Sequence, residues 1–336
     1  MSAAPGGELP LAQRVFRALA DGELHSGEQL AREQAVSRNA VWKAIGSLEA
    51  LGLGLEVAPN RGYRLPAPLV PLSAEAITGA LQGGSRARLR RGDVAWSVRS
   101  TNDELLARAE PPPGQFDFLV AEHQSGGRGR RARPWFAPPG GALCLSLGWT
   151  CAALPPGAPS LSLAVGVCAL RALRRYAGQD VQLKWPNDLV AGGSKLGGIL
   201  IELRAESAGP AYFVIGIGIN TALPAALVSQ VEQTGTRPVD LAALGAPAID
   251  RNRLCAALVD ELVAGALAFE AQGLVPFAGE WRAADALAGQ VVTVQVPGGV
   301  FVGHARGIDE EGALCVQGPA GVQRFASGEV SVRAQA

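Results

Sequence analysis

Residues 124–135 read Gln124-Ser125-Gly126-Gly127-Arg128-Gly129-Arg130-Arg131-Ala132-Arg133-Pro134-Trp135, four arginines and three glycines in twelve positions. Glycine lets backbone N–H groups approach a ligand closely, and the guanidinium fork matches carboxylate or phosphate oxygens, so the composition suits a mobile anion-binding loop. The same composition also occurs in solvated Gly/Arg linkers and in RNA-binding patches. Two further stretches carry reactive side chains, Lys184-Trp185-Pro186-Asn187-Asp188 and Lys195-Leu196-Gly197-Gly198-Ile199-Leu200. A return strand brings Lys195 back beside the Asn187-Asp188 corner. A Lys next to an Asp is usually a surface ion pair of little worth. Upstream, Ser100-Thr101-Asn102 reads on its own as the start of a helix.

These four stretches, in this order, resemble the motifs of the biotin protein ligases. With the N-terminal segment described below, the chain looks like the bifunctional form, a biotin ligase that is also the biotin operon repressor. The resemblance covers nearly the whole chain, with its motifs between Ser100 and Asn220. It implies an α+β protein with an N-terminal winged helix-turn-helix, a central mixed-sheet domain of the class II synthetase-like biotin/lipoate ligase type, and a C-terminal SH3-like β-barrel. The implied activity uses ATP and Mg2+ to form biotinyl-5′-AMP and passes biotin to a lysine of a biotin carboxyl carrier protein domain of a biotin-dependent carboxylase. Biotinyl-AMP is then also a corepressor, acting through a homodimer on operator DNA.

Residue by residue, the resemblance implies catalytic roles for Lys195, Arg130, Arg128, Asp188 and Asn187. Biotin falls to Ser100, Thr101, Asn102, Gln124, Arg128, Gly129, Arg130 and Lys195. The first four suit a buried ureido group, whose donors and acceptors must be matched by hydroxyls and amides. The adenylate falls to Gly127, Arg133, Trp135, Lys184 and Asn220. No protein-held metal cluster is expected. Two departures stand out. Where the family loop runs Gly-Arg-Gly-Arg-Arg-Gly-Arg, this chain has Ala132 in the sixth place, which costs about 1 kcal/mol if a positive φ is needed there. Residues 232–244, where the related repressor has an aromatic that folds over adenine, contain none. Two rival readings are a lipoate-type ligase on the same fold and a biotin-sensing transcription factor with little ligase activity.

The elements that must position these residues follow from length and pattern. The 336 residues allow two or three domains. Thirty basic and thirty acidic residues cancel, so DNA binding must come from a local surface. No leader pattern and no apolar run long enough for a membrane helix is present, and a cytoplasmic protein without a membrane partner is expected. The five cysteines show no C-x-x-C spacing, which argues for reduced, buried thiols.

Residues 1–66 read as the DNA-binding domain. An amphipathic helix spans 11–20, Ser26 opens a second with a capping-box spacing to Gln29, and Ser37 caps a third whose inward stripe is Val41, Ile45 and Leu48. A two-stranded wing follows around Pro59-Asn60-Arg61-Gly62. Ser37, Arg38, Asn39 and Lys43 on the third helix and Arg61 and Arg64 on the wing are the candidate DNA contacts, although residues 21–64 hold six acids against five bases. Residues 67–71 continue a stiff proline-rich tether begun at Pro66. Arg86, Arg88, Arg90 and Arg91 read as solvated surface. The catalytic domain spans 72–285, with long helices at 161–175 and 251–269 and a strand at 212–219. Residues 286–336 read as short antiparallel strands with a turn at Pro297-Gly298-Gly299.

Overall fold

A computed structural model describes residues 9–178, 180–205, 209–246, 249–296, 299–327 and 331–334. Helices α1 (Leu11–Ala18), α2 (Gly27–Glu33) and α3 (Arg38–Ala50) close on Val15, Phe16, Leu19, Leu30, Val41, Ile45 and Leu48. Both expected caps form. Ser26 Oγ accepts from the Gln29 amide at 3.0 Å and Ser37 Oγ from the Ala40 amide at 3.2 Å. The Gln29 side chain turns to His25 and Glu33 instead of back to Ser26, so only half of the capping box is made. The wing strands β1 (Glu56–Ala58) and β2 (Gly62–Arg64) pair antiparallel, and Tyr63 bridges to His25. Gly62, at φ 144°, permits that approach, since a Cβ there would lie 2.1 Å from the His25 carbonyl oxygen.

The proline-rich stretch is not a free tether. The Leu69 amide donates to the Ala20 carbonyl at 2.9 Å and its side chain joins the N-terminal core. The Leu72 amide donates to buried Glu122 at 2.7 Å. A run of prolines fixes extended backbone but does not exclude docking when its leucine has an apolar face to cover.

Next come α4 (Ala74–Ala80), α5 (Gly83–Arg86), β3 (Leu89–Val98), α6 (Thr101–Leu106), β4 (Phe116–Gln124), β5 (Ala142–Cys151), α7 (Leu161–Ala177), β6 (Val181–Lys184), β7 (Asp188–Ala191), β8 (Ser194–Ala205) and β9 (Ala211–Asn220). Their strands form one seven-stranded sheet in the order β3-β4-β5-β9-β8-β7-β6, parallel at β3–β4 and antiparallel elsewhere. α8 (Ala225–Glu232), α9 (Arg251–Gln272) and α10 (Val275–Ala283) follow. The apolar sides of α7 and α9 bury Leu170, Leu173, Leu258 and Leu262 against strand residues such as Leu145, Ile199 and Ile217.

The arginine cluster at 86–91 lies at the surface, as the sequence reading has it, but specific bonds tie it down. Arg90 pairs with Asp117, whose side chain is 1% exposed, and also binds the Ala109 and Glu110 carbonyls. Arg86 holds the Gly79 and Leu81 carbonyls, Arg88 that of Gly114, and Arg91 pairs with Asp93. Sequence spacing marks such residues as polar but carries no information about distant carbonyls.

The last five strands are β10 (Val291–Val296), β11 (Gly299–Ile308), β12 (Leu314–Gly318), β13 (Gly321–Phe325) and β14 (Ser331–Ala334), ordered β13-β12-β11-β10-β14. The strand β14 was not anticipated. Pro297 and Gly298 of the expected turn lie outside the described residues. Among the described residues no β13–β14 pairing closes this sheet into a barrel. Val292, Val294, Ala305, Leu314 and Val316 belong to the same buried cluster as the central helices. No helix among the described residues is long and apolar enough to cross a membrane.

Candidate active site

The cleft lies over β8 and β9, where glycines leave the sheet bare. A Cβ at Gly218 would sit 2.5 Å from the Trp135 indole, and one at Gly216 would sit 2.4 Å from Asn102 Oδ1. These two positions are therefore glycine because an aromatic ring and an amide rest directly on the strand. The resulting cavity, about 150 Å3, is lined by Ser100, Thr101, Asn102, Gln124, Arg128, Gly129, Arg130, Arg133, Trp135, Lys184, Asn187, Asp188 and Lys195. The scattered motifs of the sequence thus converge on one site. Val332 of β14 also lines it.

One end of the cleft is polar and finely hydrogen-bonded. Ser100 Oγ caps α6, accepting from the Asp103 amide. Gln124 Oε1 accepts from the Thr101 amide at 2.7 Å. Ser146 Oγ, fully buried on β5, lies 2.7 Å from Thr101 Oγ1 and 2.6 Å from Asn102 Oδ1. Ser146 was missed in the sequence because it sits inside the apolar run of β5, where a lone serine gives no signal.

The other end is cationic. Lys195 Nζ lies 2.7 Å from Asp188 Oδ1 and 6.0 Å from the Trp135 ring centroid. The β7–β8 hairpin creates this corner, and Asn187 Nδ2 ties it down through the Ile199 carbonyl at 2.7 Å. Arg130 donates to the Ser327 carbonyl of the C-terminal segment. Burial, together with the charge of Arg131, lowers its pKa. Arg128 is held by Asp103 at 2.6 Å and Glu202 at 2.8 Å, and these carboxylates raise its pKa, Asp103 most. The Asp103 carboxyl is held below its ordinary range by Arg128 in turn. Cys144, beneath the cleft, is pushed up to about 12 by burial and is an apolar floor residue, not a nucleophile. The Trp135 Nε1 is buried without a hydrogen-bond partner.

Two expected adenylate residues stand apart. Asn220 does not line the cavity; its amide donates to the Lys195 and Val239 carbonyls, clasping the start of β8. Gly127 also lies behind the wall, where its carbonyl accepts from the Trp135 amide at 2.8 Å. The loop itself takes the strained form that the departure at position 132 raised, with Arg131 at φ 57° and Ala132 at φ 54°.

On the N-terminal domain Ser37, Arg38, Asn39, Trp42 and Lys43 form one exposed surface of α3. Trp42 is 65% exposed, so it is not a packing residue. Arg61 is exposed at the wing tip, whereas Arg64 is paired across the wing with Glu56 at 2.6 Å. Ser37 spends its hydroxyl oxygen on the helix cap.

Fold and cleft together define a protein ligase of the biotin/lipoate class. Residues 94–220 match the model of the Biotin/lipoate A/B protein ligase family, residues 288–333 that of the Biotin protein ligase C terminal domain, and residues 13–64 that of an HTH domain. The chain is 38% identical over 321 residues to the Bifunctional ligase/repressor BirA of Escherichia coli (strain K12), covering 95% of this chain and 96% of that protein. The protein of the same name from Bacillus subtilis (strain 168) is 30% identical over 327 residues, covering 93% and 95%. This chain belongs to the family of bifunctional biotin ligase/repressors. Among solved structures, the biotin protein ligase from Aquifex aeolicus in complex with biotin and ATP shares the fold, with a TM-score of 0.61 at 24% identity, covering 73% of this chain and 100% of that one.

Proposed function

We propose that this protein condenses biotin with ATP to biotinyl-5′-AMP, transfers biotin to a lysine of a biotin carboxyl carrier protein domain, and represses transcription as the adenylate-bound form. The observation that carries the reading is the convergence of Arg128, Arg130, Arg133, Lys184 and Lys195 on a cleft whose far end offers only hydroxyls and amides. Such a cleft suits a ligand that is neutral and polar at one end and anionic at the other. A lipoyl group, whose dithiolane ring has no hydrogen-bonding edge, would leave Thr101, Asn102 and Gln124 poorly matched.

A carboxylate is a poor electrophile, and joining it to AMP as a mixed anhydride supplies a good leaving group. Lys195 holds the biotin carboxylate against the α-phosphate of ATP for in-line attack, with pyrophosphate leaving. Arg130, aided by Arg128 once it exchanges its carboxylates for phosphate oxygens, stabilises the charge that spreads over the phosphate. Gly129 lets the loop backbone approach, and Arg133, Trp135 and Lys184 face the nucleotide. No cluster of three or more His, Cys, Asp or Glu side chains able to hold a metal occurs among the described residues. Mg2+, held mainly by substrate phosphates, would have Asp188 as the carboxylate placed to assist and would supply neutralisation of phosphate charge. In the second half-reaction Asn187 and Asp188 orient the incoming lysine, whose amine, with a pKa of about 10.4, must lose its proton to attack. The loop closes over the adenylate and protects it from water.

We assign DNA binding to residues 1–66, the docked connection to 67–71, ligation to 72–285 and the adjoining wall to 286–336. Arg38, Asn39 and Lys43 meet the major groove and Arg61 the backbone. Two copies joined by adenylate binding grip a two-fold operator in the cytoplasm, and carrier protein competes by consuming the adenylate. The test is transfer of labelled biotin to a purified carrier domain, with and without ATP, by wild type and Lys195→Ala. ATP-dependent labelling lost in the variant is the expected result. Biotin binding without transfer would reduce the protein to a sensor.

A further inference from the structure

The hydroxyls and amides at the polar end of the cleft could be arranged with either hydrogen-bond polarity, and an amide that flips exchanges a donor for an acceptor. In this protein the choice is forced from outside the cleft. Asn102 Nδ2 faces the Leu200 carbonyl at 3.2 Å and Glu202 Oε2 at 2.8 Å. Both partners can only accept, so the nitrogen must point to them and Oδ1 must point the other way, over Gly216 and toward Ser146. Ser146 has one proton. At 2.6 Å from Asn102 Oδ1 it donates there, and its own oxygen then accepts from the Thr101 hydroxyl 2.7 Å away. Gln124 Oε1 is taken by the Thr101 amide, which leaves Gln124 Nε2 as the donor. Asn102 and Ser146 therefore share one direction, set at Glu202 and the Leu200 carbonyl, while Gln124 is oriented separately by the Thr101 backbone amide.

Glu202 has a second attachment. Its other oxygen, Oε1, accepts from Arg128 of the glycine-rich loop at 2.8 Å. Glu202 lies on β8 two residues beyond Leu200, so it is held by a rigid strand while the loop is not. We propose that Glu202 is a positioning residue that fixes the donor/acceptor polarity of Asn102 at the polar end of the cleft, and that this sets the preference for a cyclic urea. The proposal rests on the reading that this cleft binds biotin. An acceptor at Asn102 Oδ1 takes one ring N–H of the urea, and Gln124 Nε2 is a donor for its carbonyl oxygen. A flipped Asn102 would set donor against donor, which leaves a buried N–H without a partner.

Glu202→Gln is isosteric and the side chain is 27% exposed, so the variant keeps its fold. Its amide can turn either way, which removes the nearer of the two acceptors that hold Asn102 Nδ2, leaves only the Leu200 carbonyl at 3.2 Å, and so makes a flip easier. The assay is biotin-dependent ATP–pyrophosphate exchange, which reports adenylate formation alone. It is run with biotin and with its two cyclic carbamate analogues, each with one ring N–H replaced by oxygen. For Glu202→Gln the expected result is a KM for biotin raised about 10-fold with no matching rise in the KM for ATP, since loosening Arg128 from one carboxylate favours its turn to phosphate. The wild type should reject at least one carbamate, and that rejection should shrink about 10-fold in Glu202→Gln. Glu202→Asp, which can only accept, should keep the wild-type preference. Equal rejection of the carbamates by wild type and Glu202→Gln overturns the proposal, as does a uniform loss in which kcat falls with both KM values. A wild-type chain that exchanges no pyrophosphate with biotin refutes the ligase reading itself, and the proposal with it.

Discussion

Replacing Ala132 by glycine should tighten the ligand-free loop. Ala132 sits at φ 54°, next to Arg131 at φ 57° and ψ 35°. The left-handed conformation costs an L residue roughly 1–2 kcal/mol, and glycine is spared that cost. Glycine also frees the open loop, which returns roughly 0.5–1 kcal/mol to the disordered side. The difference of the midpoints, about 0.8 kcal/mol at an RT of about 0.59 kcal/mol, favours the ordered loop about 4-fold in Ala132→Gly. Trypsin reads this directly, because the loop carries Arg128, Arg130, Arg131 and Arg133. At low protease, where cleavage follows the population of the open form, nicking within the loop should slow about 4-fold. Ala132→Val provides the opposite sign, since a β-branched side chain is poorly tolerated at positive φ, and it should be nicked faster than wild type. Cleavage of Ala132→Gly at or above the wild-type rate would refute the strain argument.

Four other changes test separate links. Gly218→Ala places a methyl 2.5 Å from the Trp135 indole; displacing the ring should cost adenylate formation at least about 100-fold by pyrophosphate exchange while carbon-for-hydrogen exchange in the strand leaves the circular dichroism spectrum intact. Asp285, buried with Oδ2 unpartnered, has its pKa pushed up to about 6 by burial, so the folded chain binds its proton more tightly than the unfolded chain does. Stability should therefore fall as pH rises from about 4 to about 6 and stay low above, and Asp285→Asn should remove that slope and gain about 1–2 kcal/mol at pH 7 in urea unfolding, less than the full shift because the new amide nitrogen is unpaired. Glu122 and Arg251 form an ion pair with both side chains at or below 4% exposure. Glu122→Gln leaves the Arg251 charge buried and should lower stability by about 3–5 kcal/mol, measured by the same unfolding. Lys43→Ala should weaken operator and non-operator DNA alike and reduce the salt slope by about 1 in a binding titration, whereas a change confined to one operator would mean that Lys43 reads a base.

The local features of the fold were legible because their causes are local. Ser26, Ser37, Ser73 and Ser100 all cap helices through their own hydroxyls, and the near-continuous apolar runs of the strands on either side of the glycine-rich loop follow from burial on two faces. Lys195 meets Asp188 because a two-residue Gly-Gly turn joins their strands, a short-range constraint. Glu202, Ser146 and Asp103 were not legible as site residues. Glu202 sits near the exposed end of a long strand, where a polar residue is expected for solubility, and only the fold brings Asn102 and Arg128 from 100 and 74 positions away to meet it. The bonds that tie down the arginines at 86–91 were hidden because their partners are backbone carbonyls, which every residue has, together with Asp93 and Asp117. Asn220 ends a strand like a ligand residue, and its side-chain amide is bonded to the Lys195 and Val239 carbonyls, a pairing that its neighbours decide and its type does not.

The two flanking domains relate to the cleft in different ways. The N-terminal domain has its own core, against which Leu69 of the connection and Trp96 of β3 pack, the latter with its ring centroid 5.2 Å from that of Phe16. The C-terminal sheet has no core of its own, because Val292, Ala305 and Leu314 are buried in the central cluster. It also satisfies two polar groups of the site motifs: the Ser327 carbonyl accepts from Arg130, and the Gly312 carbonyl accepts from Trp185 Nε1 at 3.1 Å. A buried N–H that lost such an acceptor would be left unpaired at a cost of about 1–3 kcal/mol. The C-terminal segment is thus a wall of the cleft, tied to Arg130 and Trp185 of the site motifs. A Cβ built at Gly52 or Gly54 would lie 3.4 or 3.5 Å from Pro138 or Pro224, on the loops next to β5 and β9, so the N-terminal domain borders the cleft strands while keeping its own core.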